Sequence, residues 1–162
     1  MSIDYRANLD KVRHYRVEWE TPLSEITFDI LFDKLSSLQN YRYHITEMLH
    51  DAIMERVSVY EISAASEVNY DNAYDNTLVT DEEIAVKAKS DKVRQAMAGV
   101  KTSDKRKDSF VKKMRLAEID AYLKVLGAYI EDVDKKTFTV QQQIQLVGMD
   151  LKVHPDKIKL AE

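Results

Sequence analysis

The stretch LFDKLSSLQNYRYHITEML, residues 31–49, decides the fold. Apolar or aromatic residues recur in it at spacings of three and four, which is the period of one face of an α-helix. Neither Gly nor Pro interrupts the chain between Leu23 and Ala98. The predicted stripe consists of Leu31, Leu35, Leu38, Tyr41, Ile45, Leu49, Ala52 or Ile53, Val57, Tyr60 and Ala64. The sequence therefore predicts one long amphipathic helix over residues 22–68.

The residues before this helix differ from the rest of the chain. Thr21 and Pro22 are typical of a helix cap and a first helical position, so the predicted helix begins there. Residues 14–20 alternate apolar and charged side chains with period two, which predicts a short strand-like segment in an extended arm over residues 1–20. Two interpretations are open: the arm packs Trp19 onto the helices, or the strand pairs with another chain.

Residues 69–80 contain the repeat Tyr-Asp-Asn at a spacing of four. Asn, Asp and Thr side chains compete with the backbone hydrogen bonds of a helix, and they are common where helices end. The sequence therefore predicts that the long helix stops near Val68 and that an acidic loop follows it.

The remaining residues, 81–153, are predicted to form shorter helices. A capping box at Thr80–Glu83 starts a helix over residues 81–98, which Gly99 closes in a left-handed conformation. That helix has a sparse apolar side of Ile84, Ala88, Val93 and Met97. Ser103 caps the next helix, whose predicted core positions are Phe110, Val111, Met114, Ala117, Ala121, Leu123 or Tyr122, Leu126, Ile130 and Val133. A tight connection over residues 135–138 then leads into a last helix, so the chain is predicted to end in an αα-hairpin.

The composition fits a single all-α domain spanning residues 1–162. Only three Gly and two Pro occur, which disfavours a turn-rich β-fold, and 44% of the residues are apolar, which is enough for a core. The absence of Cys excludes a disulfide framework and Cys-ligated zinc. No apolar run reaches the roughly 18 residues that span a bilayer. We therefore expect a soluble protein of the cytoplasm without a membrane partner, in the host cell if a phage encodes it.

No catalytic constellation is visible in the sequence. Glu47 and His50 have the Glu-x-x-His spacing of di-iron bundles, but a second such pair is missing, so we interpret them as a surface cluster. The three Gly cannot form a phosphate-binding loop, and no nucleophile elbow occurs. We therefore expect a protein that is not an enzyme and that holds neither a cofactor nor a metal.

The strongest functional signal is the basic segment, residues 87–115. It holds eleven basic and three acidic residues, for a charge of +8 in a chain of net charge −4. Residues 61–83 just before it hold seven acidic residues and no Lys or Arg. This separation of negative and positive charge along the chain indicates a polyanionic partner. The candidate nucleic-acid-binding residues are Lys87, Lys89, Lys92, Arg94, Lys101, Lys105, Arg106, Lys107, Lys112, Lys113 and Arg115.

Two other uses of the basic segment are open. It could be a solvated helix face, or it could meet the acidic run of a neighbouring subunit and close a ring by charge complementarity. In a ring the positive patches would join into a continuous track, so packing and nucleic-acid binding are compatible. The best candidates for phosphate contact surround the predicted junction at residues 99–103: Lys101, Lys105, Arg106, Lys107, Lys112 and Lys113.

Several features resemble the phage recombination mediator family, the UvsY-like proteins. The long helix LAEIDAYLKVLGAYIEDV over residues 116–133 is followed by a basic turn, Phe138 and a short helix to Leu151. Upstream, residues 16–19 precede a capped long helix, and YRYHITEML at residues 41–49 is similar in order. The order of these features covers most of the chain. The family's Lys/Arg-rich motif corresponds here to residues 53–61, which keep only Arg56.

The resemblance implies a small helical protein that forms a homo-oligomeric ring and binds single-stranded DNA. Such mediators help to load a RecA-like recombinase onto strands that carry a single-strand-binding protein, so both proteins are expected partners. Since residues 53–61 lack the family's basic motif, DNA contact is expected in residues 87–115, on charge grounds. The alternative is a helical structural or adaptor protein of a phage particle that assembles through its complementary acidic and basic segments.

Overall fold

The computed structural model describes residues 4–14 and 26–153, and every regular element within these ranges is an α-helix. The helices are α1 (Tyr5–His14), α2 (Phe28–Thr80), α3 (Glu82–Lys87), α4 (Asp91–Lys101) and α5 (Ser103–Val153). The predicted all-α class is confirmed for this part of the chain. None of these helices contains an apolar stretch long enough to cross a lipid bilayer.

Two compact units divide the chain, and both α2 and α5 contribute residues to each of them. The first unit comprises the described residues of the ranges 1–51 and 123–162. The second unit comprises residues 52–122 and therefore contains the whole basic segment.

The core of the first unit is apolar and follows a seven-residue period. Side chains that repeat every seven residues lie along one face of a helix, as they do in coiled coils. The fully buried positions on this period are Leu31, Leu38 and Ile45 of α2 and Leu126, Val133 and Val140 of α5. Arg42 Nε lies 2.7 Å from Asp134 Oδ1, so α2 and α5 run antiparallel here, with Phe28 beside Gly148. The first half of the predicted apolar stripe is therefore confirmed.

The predicted extended arm is wrong for residues 5–14, which form α1. Asp4 explains the helix start, because its Oδ1 accepts hydrogen bonds from the amides of Arg6 and Ala7 at 3.1 and 3.2 Å. Val12 is 1% exposed and anchors the helix in the first unit. The strand-like segment lies, apart from His14, outside the described residues, as does the predicted cap at Thr21–Pro22. In the described part α2 begins at Phe28, where Thr27 Oγ1 accepts from the amide of Ile30 at 3.3 Å.

The predicted acidic loop over residues 69–80 is also wrong, because α2 continues to Thr80. The hydroxyl of Thr77 donates to the carbonyl of Ala73 at 2.7 Å, so it adds to the helical bonds instead of replacing them. Tyr70 and Tyr74 are one turn apart, and their ring centroids lie 6.1 Å from each other. These local contacts outweigh the low intrinsic helix propensities of Asn and Asp, since propensity only weakly determines where a helix ends.

The predicted helix over residues 81–98 is two helices, α3 and α4. Asp81 caps α3 in place of Thr80, and Ser90 caps α4, each by accepting from an amide three residues later. Ala88 has an extended backbone, and this ends α3. Gly99 lies inside α4 and does not have positive φ, so the predicted left-handed closure is wrong. Thr102 separates α4 from α5 instead.

The predicted αα-hairpin is wrong, because α5 runs without interruption through residues 135–138. Val133 and Val140 are both fully buried and seven residues apart, so a turn between them would break a continuous core face. Thr139 Oγ1 donates to the carbonyl of Lys135 at 3.0 Å, which again adds to the helical bonding. Helix packing through the first unit therefore overrides the polar composition of this stretch.

The second unit has few large apolar residues in its interior. Its buried side chains are Ala52, Ser63, Ser66, Ile84, Ala98, Thr102, Ser109, Ile119 and Tyr122. The second half of the predicted stripe is thus wrong, since Val57 and Tyr60 are 51% and 58% exposed. The predicted core positions Phe110 and Met114 are likewise 62% and 49% exposed. In this unit serines of α2 and α5 are buried, and several large apolar side chains of both helices are exposed.

Candidate nucleic-acid interface

All eleven candidate residues lie in the second unit, on or between three helices. Lys87 ends α3, Lys89 lies between α3 and α4, and the others follow along α4 and α5. Lys101 ends α4, and Lys105, Arg106 and Lys107 follow in the first turns of α5, beyond Thr102. Six of the eleven are neutralised by carboxylates of the same chain: Lys87, Lys101, Lys107, Lys112, Lys113 and Arg115.

Lys101 is the centre of the largest of these ion-pair clusters. Its Nζ lies 2.7 Å from Asp81 Oδ2 and 2.8 Å from Glu83 Oε2, so it ties the end of α4 to the start of α3. Hydrogen bonding to Lys101, followed by that to Lys87, lowers the pKa of Glu83 to about 2. The same contacts raise the pKa of Lys101 and lower the pKa of Asp81. Lys101 therefore has a structural role and is already neutralised.

A second set of ion pairs joins α5 to α2. Lys113 Nζ lies 2.5 Å from Glu67 Oε1, and Arg115 Nη2 lies 2.7 Å from Glu55 Oε1. Lys112 pairs with Asp108, whose Oδ2 also accepts from Ser66 at 2.8 Å. Two of the predicted best candidates, Lys112 and Lys113, are thus used to hold the helices together.

The acidic run over residues 61–83 meets the basic segment within one chain. Glu67, Asp81 and Glu83 all pair with cations of residues 87–115. Part of the separation of charge along the sequence is therefore explained by ion pairs inside the second unit, between α2 and α5 at Glu67 and between α3 and α4 at Asp81 and Glu83. The pair of Glu83 with Lys87 is local, at a spacing of four residues. The sequence could not reveal the pairs with Lys101 and Lys113, because their acidic partners lie 18 to 46 residues away.

Five cations form no ion pair within residues 4–14 and 26–153: Lys89, Lys92, Arg94, Lys105 and Arg106. All five are exposed. Lys89, Lys92 and Arg94 lie at the amino-terminal end of α4, and Lys105 and Arg106 lie in the first turns of α5. Most of α4 separates the two groups. This length is about 15 Å, at a helical rise of about 1.5 Å per residue. Unpaired, exposed cations at such spacings are suited to phosphate groups along a nucleic-acid strand.

A shallow groove of about 430 Å³ runs along α4 between these two groups. Its floor is aliphatic, and Val93 and Val100 are 43% and 73% exposed. Its lining residues are Glu83, Lys92, Val93, Ala96, Met97, Val100 and Lys101. The sequence had placed Val93 and Met97 on a buried side, and that prediction is wrong for Val93. The spacing of Val93, Met97 and Val100 is the signal that identifies the groove face.

The corner between α4 and α5 is set by Thr102, which is 5% exposed. Its amide and its hydroxyl both donate to the carbonyl of Ala98, at 3.0 and 2.8 Å. Its own carbonyl accepts a hydrogen bond from the amide of Arg106 at 3.0 Å, and this bond begins the backbone hydrogen bonding of α5. Thr102 therefore fixes where Lys105 and Arg106 emerge relative to α4.

The cluster around Glu47 and His50 lies in the first unit. Tyr43, Thr46, Glu47, His50 and Asp51 line one open depression on α2. Hydrogen bonding to the carboxylate of Glu47 raises the pKa of Tyr43, and His44 Nδ1 lies 3.6 Å from Glu47 Oε2. Within the described part of the chain, no three His, Asp or Glu side chains are grouped so that they could hold a metal ion.

Comparison of the chain with protein-family models, with curated proteins and with solved structures gives no match.

Proposed function

We propose that this chain is an oligomeric, non-enzymatic protein that binds single-stranded DNA and mediates recombination. Phosphates contact the unpaired cations of α4 and α5, and the bases lie over the groove along α4. The recognition is independent of base sequence, because no side chain in the groove offers a pattern of donors and acceptors that would distinguish one base from another.

The observation that carries the proposal is the set of five unpaired, exposed cations, three at the start of α4 and two in the first turns of α5, together with the aliphatic groove along α4. Six other cations of the same segment are satisfied by carboxylates, so these five are the ones with charge available for a partner. Phosphate neutralisation releases counterions and is the main source of affinity for nucleic acids.

The groove favours a single strand over a duplex. Unpaired bases expose flat apolar faces that a duplex hides between its base pairs, and aliphatic side chains such as Val93 and Met97 can cover them. Aromatic platforms usually serve this purpose in single-strand grooves. Because the groove has none, we expect modest affinity per chain and a dependence on several chains acting together.

The mediator part of the proposal rests on the resemblance to the phage recombination mediators. Its specific content is that the protein helps a RecA-like recombinase to displace a single-strand-binding protein from DNA in the cytoplasm of the host. A recombinase ATPase assay on strands coated with a single-strand-binding protein tests it. The expected result is a shorter lag before ATP hydrolysis when this protein is added, and an unchanged lag would contradict it.

Fluorescence anisotropy of a labelled single-stranded oligonucleotide at low and moderate salt tests the DNA-binding part. The informative variant is Lys89→Glu/Lys92→Glu/Arg94→Glu, which removes three unpaired cations and no ion pair. The matched control is Lys124→Glu/Lys135→Glu/Lys152→Glu, which makes the same change of charge at exposed positions outside the basic segment.

The expected result is at least tenfold weaker binding for the first variant and at most about threefold weaker binding for the control, since phosphate contacts are local. Equal losses in both variants would mean that only net charge matters. No binding of the wild-type protein at low salt, or equal binding of a duplex, would overturn the proposal.

A second candidate is a helical structural or adaptor protein of a phage particle. The observation that favours it is the number of large apolar side chains exposed on the second unit, because such surfaces usually contact other proteins. The variant Lys89→Glu/Lys92→Glu/Arg94→Glu separates the two functions. Lost assembly with unchanged DNA binding favours the adaptor, and lost DNA binding with intact assembly favours the mediator.

A further inference from the structure

The second unit exposes an apolar stripe along α2. Its members are spaced by three or four residues and so share one helix face. Val57, Tyr60 and Val68 are 51%, 58% and 57% exposed, and Ile53 is 44% exposed. Ala64 lies between them and is also exposed. This stripe was predicted to be core, and the periodicity is that of a face that packs against another helix.

A second exposed stripe runs along α5. Phe110 and Met114 are 62% and 49% exposed, and Ala117 and Ala121 continue the face at the same spacing. The face that α5 turns toward α2 in the same chain carries Ser109 and Ile119 instead. Both helices therefore have a second face with the pattern of a helix interface.

The two stripes carry opposite charges. On α2 the acidic residues Glu61, Asp71 and Asp75 lie beside or beyond the stripe, and none of them forms an ion pair within the described ranges. On α5 the stripe is preceded by Arg106, which is unpaired, and by Lys107, which lies 3.8 Å from the 97% exposed Asp104. An acidic apolar face and a basic apolar face are complementary.

We propose that the partner of these faces is a second copy of this chain, with the α2 stripe of one copy packed antiparallel on the α5 stripe of the next. The order of the residues requires this direction. On α2 the apolar residues come before Asp71 and Asp75, and on α5 they come after Arg106 and Lys107. Only antiparallel helices place apolar residues opposite apolar residues and bring the acidic end of the α2 stripe next to the basic end of the α5 stripe.

One register also matches the sizes of the side chains. When Tyr60 faces Met114, the other three pairs each join a larger residue to an alanine: Ile53 faces Ala121, Val57 faces Ala117, and Phe110 faces Ala64. In this register Val68 faces Arg106, and Asp71 lies about one turn beyond Val68. Alternation of large and small residues across two helices gives dense packing without overlap. Ser66 faces Asp108 in the same register, which is the register that α2 and α5 use within the chain.

Such an interface is heterologous, because it joins two different surfaces. Each copy then offers its α2 stripe to one neighbour and its α5 stripe to another, so assembly continues until a ring closes or a filament forms. The inference specifies the contact that the proposed oligomer uses, and it does not depend on DNA binding. Arg106 and Lys107 serve the interface in it, whereas Lys89, Lys92 and Arg94 stay available for phosphates.

Sedimentation velocity of the full chain over a range of concentrations tests the contact by charge exchange. The variants are Asp71→Lys/Asp75→Lys, Arg106→Glu/Lys107→Glu, and the combination of all four substitutions. The control is Lys124→Glu/Lys135→Glu, at exposed positions outside both stripes. We expect each two-residue variant to weaken association at least tenfold, and the combined variant to recover most of it. Far-ultraviolet circular dichroism checks that each variant is folded.

Four results would overturn the inference. The wild-type protein could stay monomeric at all concentrations, or neither two-residue charge variant could change its association. Asp71→Lys/Asp75→Lys could associate more strongly than the wild-type protein. Finally, the combined variant could associate no better than the two-residue variants. The variant Tyr60→Ser/Met114→Ser gives a second test without a change of charge, and it should also dissociate the assembly. Failure of DNA binding is a separate outcome, because Lys89→Glu/Lys92→Glu/Arg94→Glu should leave the oligomeric mass unchanged.

Discussion

Arg115 Nη2 on α5 lies 2.7 Å from Glu55 Oε1 on α2, and this is the least exposed ion pair between those helices in the second unit as the structure describes it. The two side chains are 25% and 15% exposed, and Nε of Arg115 also donates to the same carboxylate oxygen at 3.3 Å. In a unit whose interior contains serines, this contact contributes specificity that packing alone does not supply. It also explains why Arg115 is not available to a nucleic acid.

The first prediction concerns this pair. Glu55→Ala should lower the free energy of unfolding by about 2 kcal/mol, because it removes the less exposed of the two carboxylates that pair with a partly buried guanidinium. Asp134→Ala is the control, since the Arg42–Asp134 pair is about half exposed and should contribute less than about 1 kcal/mol. Urea denaturation followed by circular dichroism measures both. Equal effects of the two substitutions would contradict the prediction.

The second prediction concerns pH. Pairing with Lys101 and Lys87 lowers the pKa of Glu83 from its usual 4.5 to about 2. A carboxylate whose pKa is lower in the folded state than in the unfolded state stabilises the folded state at pH values above the unfolded-state pKa. This contribution is lost as the pH falls through the folded-state pKa. The contacts between α3 and α4 should therefore weaken between pH 4.5 and about 2. Asp81, whose pKa is lowered by the same Lys101, should act in the same direction.

Glu83→Gln isolates this effect. Its stability should change less than that of the wild-type protein as the pH falls from 5 to about 2, because the substituted side chain does not titrate. Thermal denaturation at half-unit intervals of pH is the measurement. Parallel curves for the two proteins would show that the Lys101 cluster does not contribute.

The third prediction concerns the salt dependence of DNA binding. If the four unpaired cations outside the proposed interface, Lys89, Lys92, Arg94 and Lys105, all contact phosphates of a single strand, the logarithm of the binding constant should fall with the logarithm of salt concentration with a slope of about −2.8. Lys89→Glu/Lys92→Glu/Arg94→Glu removes three contacts and should make the slope shallower by about 2. A titration at four salt concentrations measures it. A wild-type slope of about −7 or steeper would mean that the six paired cations also take part.

The fourth prediction tests the continuity of α5. Thr137→Pro should cost about 3 kcal/mol or more, since proline removes a helical hydrogen bond and clashes with the preceding turn. If residues 135–138 were a turn, as their composition predicts, the substitution would be tolerated. Lys89→Pro is a suitable control, because Ala88 before it already has the extended backbone that a following proline requires. Circular dichroism and urea denaturation distinguish the two outcomes.

How far the sequence predicts the fold differs between the two units. In the first unit Leu31, Leu38 and Ile45 are predicted correctly, because one apolar stripe exists on α2 and it is the one that packs. In the second unit α2 has two stripes, and periodicity does not tell which of them faces the same chain. The more apolar stripe, with Val57 and Tyr60, is exposed, and the serine stripe is buried.

Prediction of the candidate site from the sequence has the same limit. The basic segment is evident in the sequence, but which of its cations are free depends on the register of α5 against α2 and on the corner at Thr102. Lys113 meets Glu67 across 46 residues of sequence, and no local pattern encodes that distance. The errors at residues 69–80 and 135–138 have a different cause, since polar residues there hydrogen bond within the helix while tertiary contacts determine its length.

The last prediction compares two buried serines of α2. Ser63 and Ser66 are 5% and 6% exposed, so their burial is nearly the same. The hydroxyl of Ser66 donates to Asp108 at 2.8 Å, and Ser63 forms no side-chain hydrogen bond within the described residues. A hydrogen bond to a carboxylate contributes about 1.5 to 3 kcal/mol, and this one also lowers the pKa of Asp108, after the larger effect of Lys112.

Ser66→Ala should therefore destabilise the protein by about 1 to 2 kcal/mol. Ser63→Ala should change the stability by less than about 0.5 kcal/mol, or raise it, because alanine has the higher helix propensity. Since the two substitutions remove the same atom from the same helix face, their difference measures the two contacts of Ser66, the bond to Asp108 and the longer one from Lys112 at 3.4 Å. A double-mutant cycle of Ser66→Ala with Asp108→Ala measures the coupling directly, and additive effects would contradict the assignment.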